Sequence, residues 1–308
     1  MLALAAGAMP EEPRVPAGLP AELADVIAAP RAEVELGRRL FFDPVLSSDR
    51  TVACASCHDP EHGFADTERF SVGVAGRRTL RNAPALLNRA LGRSFMWDGR
   101  VATLEEQVLL PIENELEMDL ALERALERLE CEGDWAASFA AAYGGPPTRA
   151  RLAAALAAFV RGRLHGGSAV DRFRSGLQDA LTPDERAGMW IFESRGGCWR
   201  CHTGVNFTDE GFHATGIGAA DGEPEPGRFA VTGEPEDRGR FKTPTLRGLA
   251  DTAPYMHDGS LASLEDVVEF YRQGGRPHSN PDPDLVALDL RERDAEHLVA
   301  FLRALSRR

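Results

Sequence analysis

Apolar residues recur at helical spacing over most of the chain, and the elements they predict come in two groups. The stretch "AEVELGRRLFFDP" reads as a short amphipathic helix stopped by Pro44. Helical patterns follow at Leu104–Leu110, Asp119–Leu129, Asp134–Tyr143, Arg149–Leu164 and Pro183–Glu193, and two more lie around Ser263–Tyr271 and Arg291–Leu305. Strand-type alternation is scarce. Between Thr203 and Arg247 the chain is rich in Gly, Pro, Asp and Glu and reads as loops. The helical pattern breaks at "LHGGSAV", near residues 165–170, which predicts a mainly α protein of two domains, 24–167 and 168–308, behind a Pro/Ala/Glu-rich arm at 1–23. The GxxG within "SVGVAGRR" reads as a turn, and no internal repeat is visible beyond one short cysteine motif.

Composition supports a globular chain: 308 residues, 43% apolar and 27% charged. A formal net charge of −13 argues against nucleic acid and anionic membranes as partners. It favours a basic or neutral protein or a small uncharged substrate. No apolar stretch reaches the length of a membrane span. The opening "MLALAAGAMPEEPR" resembles the tail of a secretory signal without its basic leading region, and equally an ordinary chain terminus.

Four of the five cysteines lie in "TVACASCHDP" and "GGCWRCHTGV". Each holds two cysteines three positions apart, with a histidine directly after the second. This is the spacing of c-type haem attachment: Cys54 and Cys57, and Cys198 and Cys201, would form thioethers to the porphyrin, and His58 and His202 would be the proximal iron ligands. A zinc ribbon would bring its two knuckles about 15–20 residues apart, and a redox dithiol needs neither the histidine nor this helical setting. Covalent haem attachment of this kind is extracytoplasmic chemistry, so a periplasmic location is expected. Cys131, in "LECEGDW", is left over and reads as structural.

Around these motifs the chain resembles the bacterial dihaem cytochrome c peroxidase family, and within it the MauG-like branch. The resemblance is carried by "LGRRLFFDPVLSSDRTVACASCHDPEHGFAD", "RNAPALLNRA", "FMWDGRVATLEEQVLLPIENELEM", "GCWRCHTGVNFTDEGFHATG" and "FKTPTLRGLADTAPYMHDGSLASLEDVVEFY". It implies two cytochrome c-like domains with loop-rich connections. The N-terminal haem would be the hydrogen peroxide site, with Glu117 as acid–base group and Gln107 nearby; Glu113 and Glu115 are the alternatives if the register differs. Trp97 would lie between the haems. A calcium ion would be held by Asn82, Thr252 and Pro254.

Two departures separate the chain from conventional members. "FADTERFSVGVAGRRTLRNAP" lacks the histidine that ligates the first iron in their resting state, and His62 is too near the motif to reach the distal face. Their methionine ligand to the second iron is replaced by Tyr271, and an anionic phenolate favours oxidised iron where a thioether favours ferrous. The resemblance therefore implies a periplasmic oxidoreductase that reacts with peroxide and stores oxidising equivalents across both haems, in the bis-Fe(IV) manner of MauG. It would oxidise a redox-protein donor or a protein substrate, as a monomer or homodimer. The other readings are a cytochrome c peroxidase needing prior reduction, and a non-catalytic dihaem electron carrier. Trp199, inside the second motif, is a candidate electron exit. His165, His213, His278 and His297 read as surface or packing residues, with the roles of His213 and His257 open.

Overall fold

A computed structural model describes residues 15–307; the signal-like opening lies outside the described residues. The first half holds α1 (Leu23–Ile27), α2 (Arg31–Phe42), α3 (Leu104–Gln107), α4 (Leu110–Glu113), α5 (Leu122–Cys131), α6 (Trp135–Tyr143) and α7 (Arg149–Arg161). The second holds α8 (Ala169–Arg174), α9 (Pro183–Glu193), α10 (Phe229–Thr232), α11 (Leu264–Arg272) and α12 (Glu292–Ala304). Strands β1 (Phe212–Ala214) and β2 (Arg240–Lys242) pair antiparallel, with His213 opposite Phe241. One apolar cluster draws its residues from Leu36 to Val160 and a second from Ala169 to Leu305. The fold is mainly α, in keeping with cytochrome c-like domains.

Each half is built on one helix crossing. A Cβ at Gly37 would lie 1.9 Å from the Ala155 carbonyl oxygen, and a Cβ at Gly188 would lie 1.9 Å from that of His297. Only glycine lets α2 approach α7, and α9 approach α12, this closely. Phe159 and Phe301 pack beside the two contacts. Helix starts follow their side chains: Thr148, Thr182 and Ser263 accept from the backbone N–H three residues on, at 3.2, 3.2 and 3.1 Å. The pattern at Leu104–Leu110 predicts one helix where the chain forms two. Pro111 explains the break, because it has no N–H to offer and its ring crowds the carbonyl of Gln107.

The duplication goes further than the cysteine motif, which corrects the expectation of no other repeat. "FMWDGRVATLEE" and "YMHDGSLASLED" fold alike at one constant offset. Phe95 bridges Val101 as Tyr255 bridges Leu261, Met96 and Met256 both take positive φ, and Thr103/Glu106 and Ser263/Asp266 form matching capping boxes. At the same offset the halves exchange backbone hydrogen bonds. Asn82 N–H donates to the His257 carbonyl and Lys242 N–H to the Trp97 carbonyl, both at 2.8 Å. Trp97 and His257 are therefore equivalent positions on a quasi-twofold seam.

Buried polar groups close the rest of that seam. Asn88, fully buried with φ +56°, donates to the His165 carbonyl and to Asn206 Oδ1, both at 3.0 Å. Arg247 is 2% exposed and forks onto Asp171 at 2.7 and 2.9 Å while donating to the carbonyls of Val205 and Gly18. The stretch read as an arm is thus docked over its described part: Gly167 N–H also donates to Ala17, and Leu23 is buried. Burial alone would raise the Asp171 carboxyl, but the Arg247 guanidinium outweighs it and holds the group below the carboxylate range. With the folded pKa depressed, this pair's contribution is complete above the unfolded carboxylate pKa of about 4 and is lost as pH falls through the folded one. Replacing Asp171 by Ala strands a buried guanidinium and is expected to cost about 3–5 kcal/mol, read as a lowered denaturation midpoint at pH 7.

Candidate functional site

The two cysteine motifs adopt one local geometry. Cys54–Ser56 and Cys198–Arg200 are single 3-10 turns, and the N–H of His58 and of His202 donates back to the carbonyl of the motif's first cysteine, at 3.0 and 2.9 Å. Each imidazole Nδ1 lies 3.0 Å from a backbone carbonyl, that of Phe64 for His58 and of Phe207 for His202. Nδ1 is thereby the protonated nitrogen and Nε2 keeps its lone pair. Both phenylalanines take the left-handed conformation, φ +58° and +50°, which bulky residues rarely adopt. Burial pushes both imidazoles below the usual histidine range, so the neutral, metal-ligating form is the stable one.

Burial also pushes the thiols up, Cys54 to about 12 and Cys57 and Cys198 to about 11. An exchange-active dithiol works through a thiol of lowered pKa, the opposite of what burial does to these three. Cys201, Asp209 and His213 do converge, but His213 Nδ1 lies 2.7 Å from Asp282 and its Nε2 2.9 Å from Asp209. Between these two carboxylates the His213 imidazole is held as the cation, with both ring nitrogens donating.

His58 opens into a cavity of about 720 Å³, lined also by Cys57, Trp97, Gln107, Asn114 and Glu117. That volume falls in the range of cofactor pockets, about 300–1,000 Å³. A free Nε2, two sulfurs in register and this cavity fit a haem. Burial raises the Glu117 carboxyl, opposed by a hydrogen bond from Asn114 and by the Arg100 charge. The loop after the first motif carries no histidine to the pocket: Val74 N–H donates to the Glu117 carbonyl at 2.9 Å, and His62 is turned outward onto Asp59 at 2.9 Å.

Trp97 Nε1 donates to the Asn82 carbonyl at 2.8 Å, and its ring meets His257 edge-on at 6.4 Å. His257 in turn stacks on Phe241 at 3.5 Å. Asn82, Thr252 and Pro254 line the same cavity, and Asn82 spends its amide N–H groups on the carbonyls of Glu68 and Arg69 at 3.1 and 3.3 Å. Tyr271 sits on α11 beside the second motif: burial first, then the Cys201 and Cys198 sulfurs, push its phenol above the tyrosine range. Trp199 is 47% exposed.

Residues 31–179 match the family described as Di-haem cytochrome c peroxidase. The methylamine utilization protein MauG of Methylorubrum extorquens is 38% identical over 275 residues, covering 89% of this chain and 78% of that protein. The chain belongs to the di-haem cytochrome c peroxidase family. Cytochrome-c peroxidase IdrP2 of Denitromonas iodatirespirans is 36% identical, over 89% of this chain and 81% of that one. Among solved structures, a MauG-like protein associated with microbial copper homeostasis superposes with a TM-score of 0.85 at 32% identity, covering 99% of this chain and 96% of the other. The diheme peroxidase BthA of Burkholderia thailandensis gives 0.80 at 26% identity, covering 91% and 87%.

As a di-haem peroxidase-type oxidoreductase the chain carries two c-type haems and acts on peroxide. No helix among the described residues is long and apolar enough to cross a membrane. Several residues of this peroxidase escape a reading of the sequence. Phe64 and Phe207 act through their carbonyls, which side-chain identity does not reveal. Asn114 and Arg100 face Glu117 without belonging to any metal or haem motif. The His257 position was marked by one signal, its place opposite Trp97 in the two "DG" stretches.

Proposed function

We propose that the chain is a periplasmic enzyme that reacts with hydrogen peroxide at the His58 haem and oxidises an external donor, a redox protein or a protein side chain. The observation that carries this reading is an asymmetry between two equal motifs. His58 faces a cavity bearing Glu117 and Gln107, whereas His202 has Tyr271 beside its cysteines. Cys54 and Cys57 with His58, and Cys198 and Cys201 with His202, would hold the two haems, which would supply the redox chemistry of peroxide reduction.

The protein's own contribution is protonic and positional. Glu117 takes a proton from one peroxide oxygen and gives it to the other, work for which a carboxyl raised by burial is suited. Gln107 offers its amide to the same space. Trp97 is the proposed hopping station across the seam, and its indole N–H, tied to Asn82, keeps the ring fixed there. Tyr271 is the proposed second ligand of the His202 iron; a phenol that burial keeps protonated ionises only against a metal's charge. The Asn82 side-chain oxygen and the carbonyls of Thr252 and Pro254 would hold Ca²⁺, an all-oxygen donor set. A net charge of −13 favours a basic or neutral partner, and exposed Trp199 is the proposed exit for oxidising equivalents.

In the ferric resting protein, electron paramagnetic resonance is expected to show one high-spin and one low-spin iron. Tyr271→Phe is expected to alter the low-spin signal alone, and two low-spin irons in the parent would favour the electron carrier instead. Glu117→Gln is expected to slow the reaction of diferric protein with one equivalent of peroxide about 10²–10⁴-fold in stopped flow. A parent that reacts only after one-electron reduction would instead indicate the conventional peroxidase cycle.

A further inference from the structure

We infer that Asn114 is a positioning residue that makes Glu117 a one-oxygen proton shuttle, its amide occupying Oε1 and leaving Oε2 alone to exchange protons with peroxide. This rests on the acid–base role proposed for Glu117 above.

Asn114 follows α4 directly and closes a tight loop back onto itself. Its carbonyl accepts from the N–H groups of Glu117 and Asp119, both at 3.0 Å. Its side-chain Oδ1 accepts from Leu116 N–H at 3.1 Å, and its Nδ2 donates to Glu117 Oε1 at 2.5 Å. The amide has only one workable orientation. Turned over, it would set an oxygen against the carboxylate and an NH₂ against an N–H. Among the described residues no other hydrogen bond reaches the Glu117 carboxylate, and both side chains line the cavity.

The backbone beneath is pinned from both sides. Met118 N–H donates to Pro111 at 3.2 Å, Leu120 N–H to Ile112 at 2.8 Å, and Val74 N–H to the Glu117 carbonyl at 2.9 Å. With the main chain held, the Asn114 amide on Oε1 is what orients the carboxylate. Oε2 takes the proton from one peroxide oxygen and returns it to the other, so the carboxylate ends as it began, without rotation. That removes a conformational step from a proton relay and fixes the distance over which the proton moves.

Few other charges face the group. The Arg100 guanidinium lies on its cavity side and favours the ionised form. The Cys54 and Cys57 sulfurs are near and become uncharged thioethers once haem is attached. Arg77 and Asp119 on the adjoining loops pair with each other at 2.5 Å, and Glu113 and Glu115 are exposed. Asn114 is the one donor among these that touches the carboxylate.

Asn114→Asp isolates this role. It keeps the acceptor for Leu116 N–H, hence the loop, while replacing the donor to Oε1 by a second carboxyl, so that the pair shares a proton. Stopped-flow rates of peroxide with the diferric, two-haem protein across pH are compared for the parent, Asn114→Asp and Glu117→Gln. The acidic limb in Asn114→Asp is expected to move up by at least about one pH unit, so that at pH values below the parental limb the rate is about tenfold down, recovering toward alkali. A protonated-carboxyl infrared band is expected in the resting variant and should vanish when Glu117→Gln is added. If Asn114→Asp does not accumulate with both haems, Asn114→Ala must shift the limb in the same direction. A parental pH profile in the variant, with Glu117→Gln slow, overturns the inference alone. Glu117→Gln reacting at the parental rate removes the acid–base assignment and this inference with it.

Discussion

Two hydrogen bonds decide what this chain can be. Each motif histidine gives its Nδ1 proton to a backbone carbonyl, and each carbonyl is aimed by a phenylalanine in the left-handed region. A side-chain acceptor could rotate away, whereas a backbone carbonyl inside a packed loop cannot. The bond fixes the tautomer, the plane of the ring and the direction of Nε2 together. Burial then keeps the ring neutral, so the lone pair stays available at neutral pH. The conformational cost at Phe64 and Phe207, of the order of 1–3 kcal/mol for such backbone strain, is offset by burying the Phe207 ring in the second core and packing Phe64 against the first.

What lies between the halves is constrained in a different way. The seam is polar and buried, and such groups are tolerable only when each has its partner. The reciprocal bonds of Asn82 with His257 and of Lys242 with Trp97 pair those backbone groups and tie the Trp97 backbone to the opposite half. A ring held by its own main chain on one side and by Asn82 through its N–H cannot drift relative to either half. A seam built from apolar contacts alone would be less particular about register, because van der Waals contact is not directional while paired N–H and carbonyl groups are.

The fold was legible in the sequence where periodicity and capping agreed. The α9 helix, with Thr182, Pro183 and Glu185 at its start, runs over the residues its pattern indicates. It was less legible where one residue overrode a pattern, as Pro111 does in splitting the run from Leu104. The cysteine motifs announced themselves because covalent attachment demands fixed spacing. Asn114 did not, because its action depends on a loop closing three residues onward, which no periodicity encodes. The second repeat was hidden for a further reason: its common features are a positive φ, a bridge and a cap, and these tolerate Trp or His, Phe or Tyr, Thr or Ser.

That tolerance lets one scaffold carry two chemistries. Once helix crossing, haem turn and "DG" turn are fixed by glycines, caps and backbone bonds, the remaining side chains are free to differ without endangering the fold. In the first half the segment after α4 closes through Asn114 and presents a carboxylate to the cavity; in the second, α11 brings a phenol toward the sulfurs. On the proposed reading, exchanging Glu117 or Tyr271 would change what a bound haem can do while leaving the paired backbone bonds of the seam in place. On the reading proposed above, the difference between the two haem sites is a matter of a few side chains laid over a duplicated frame, and the seam's paired backbone bonds hold that frame together.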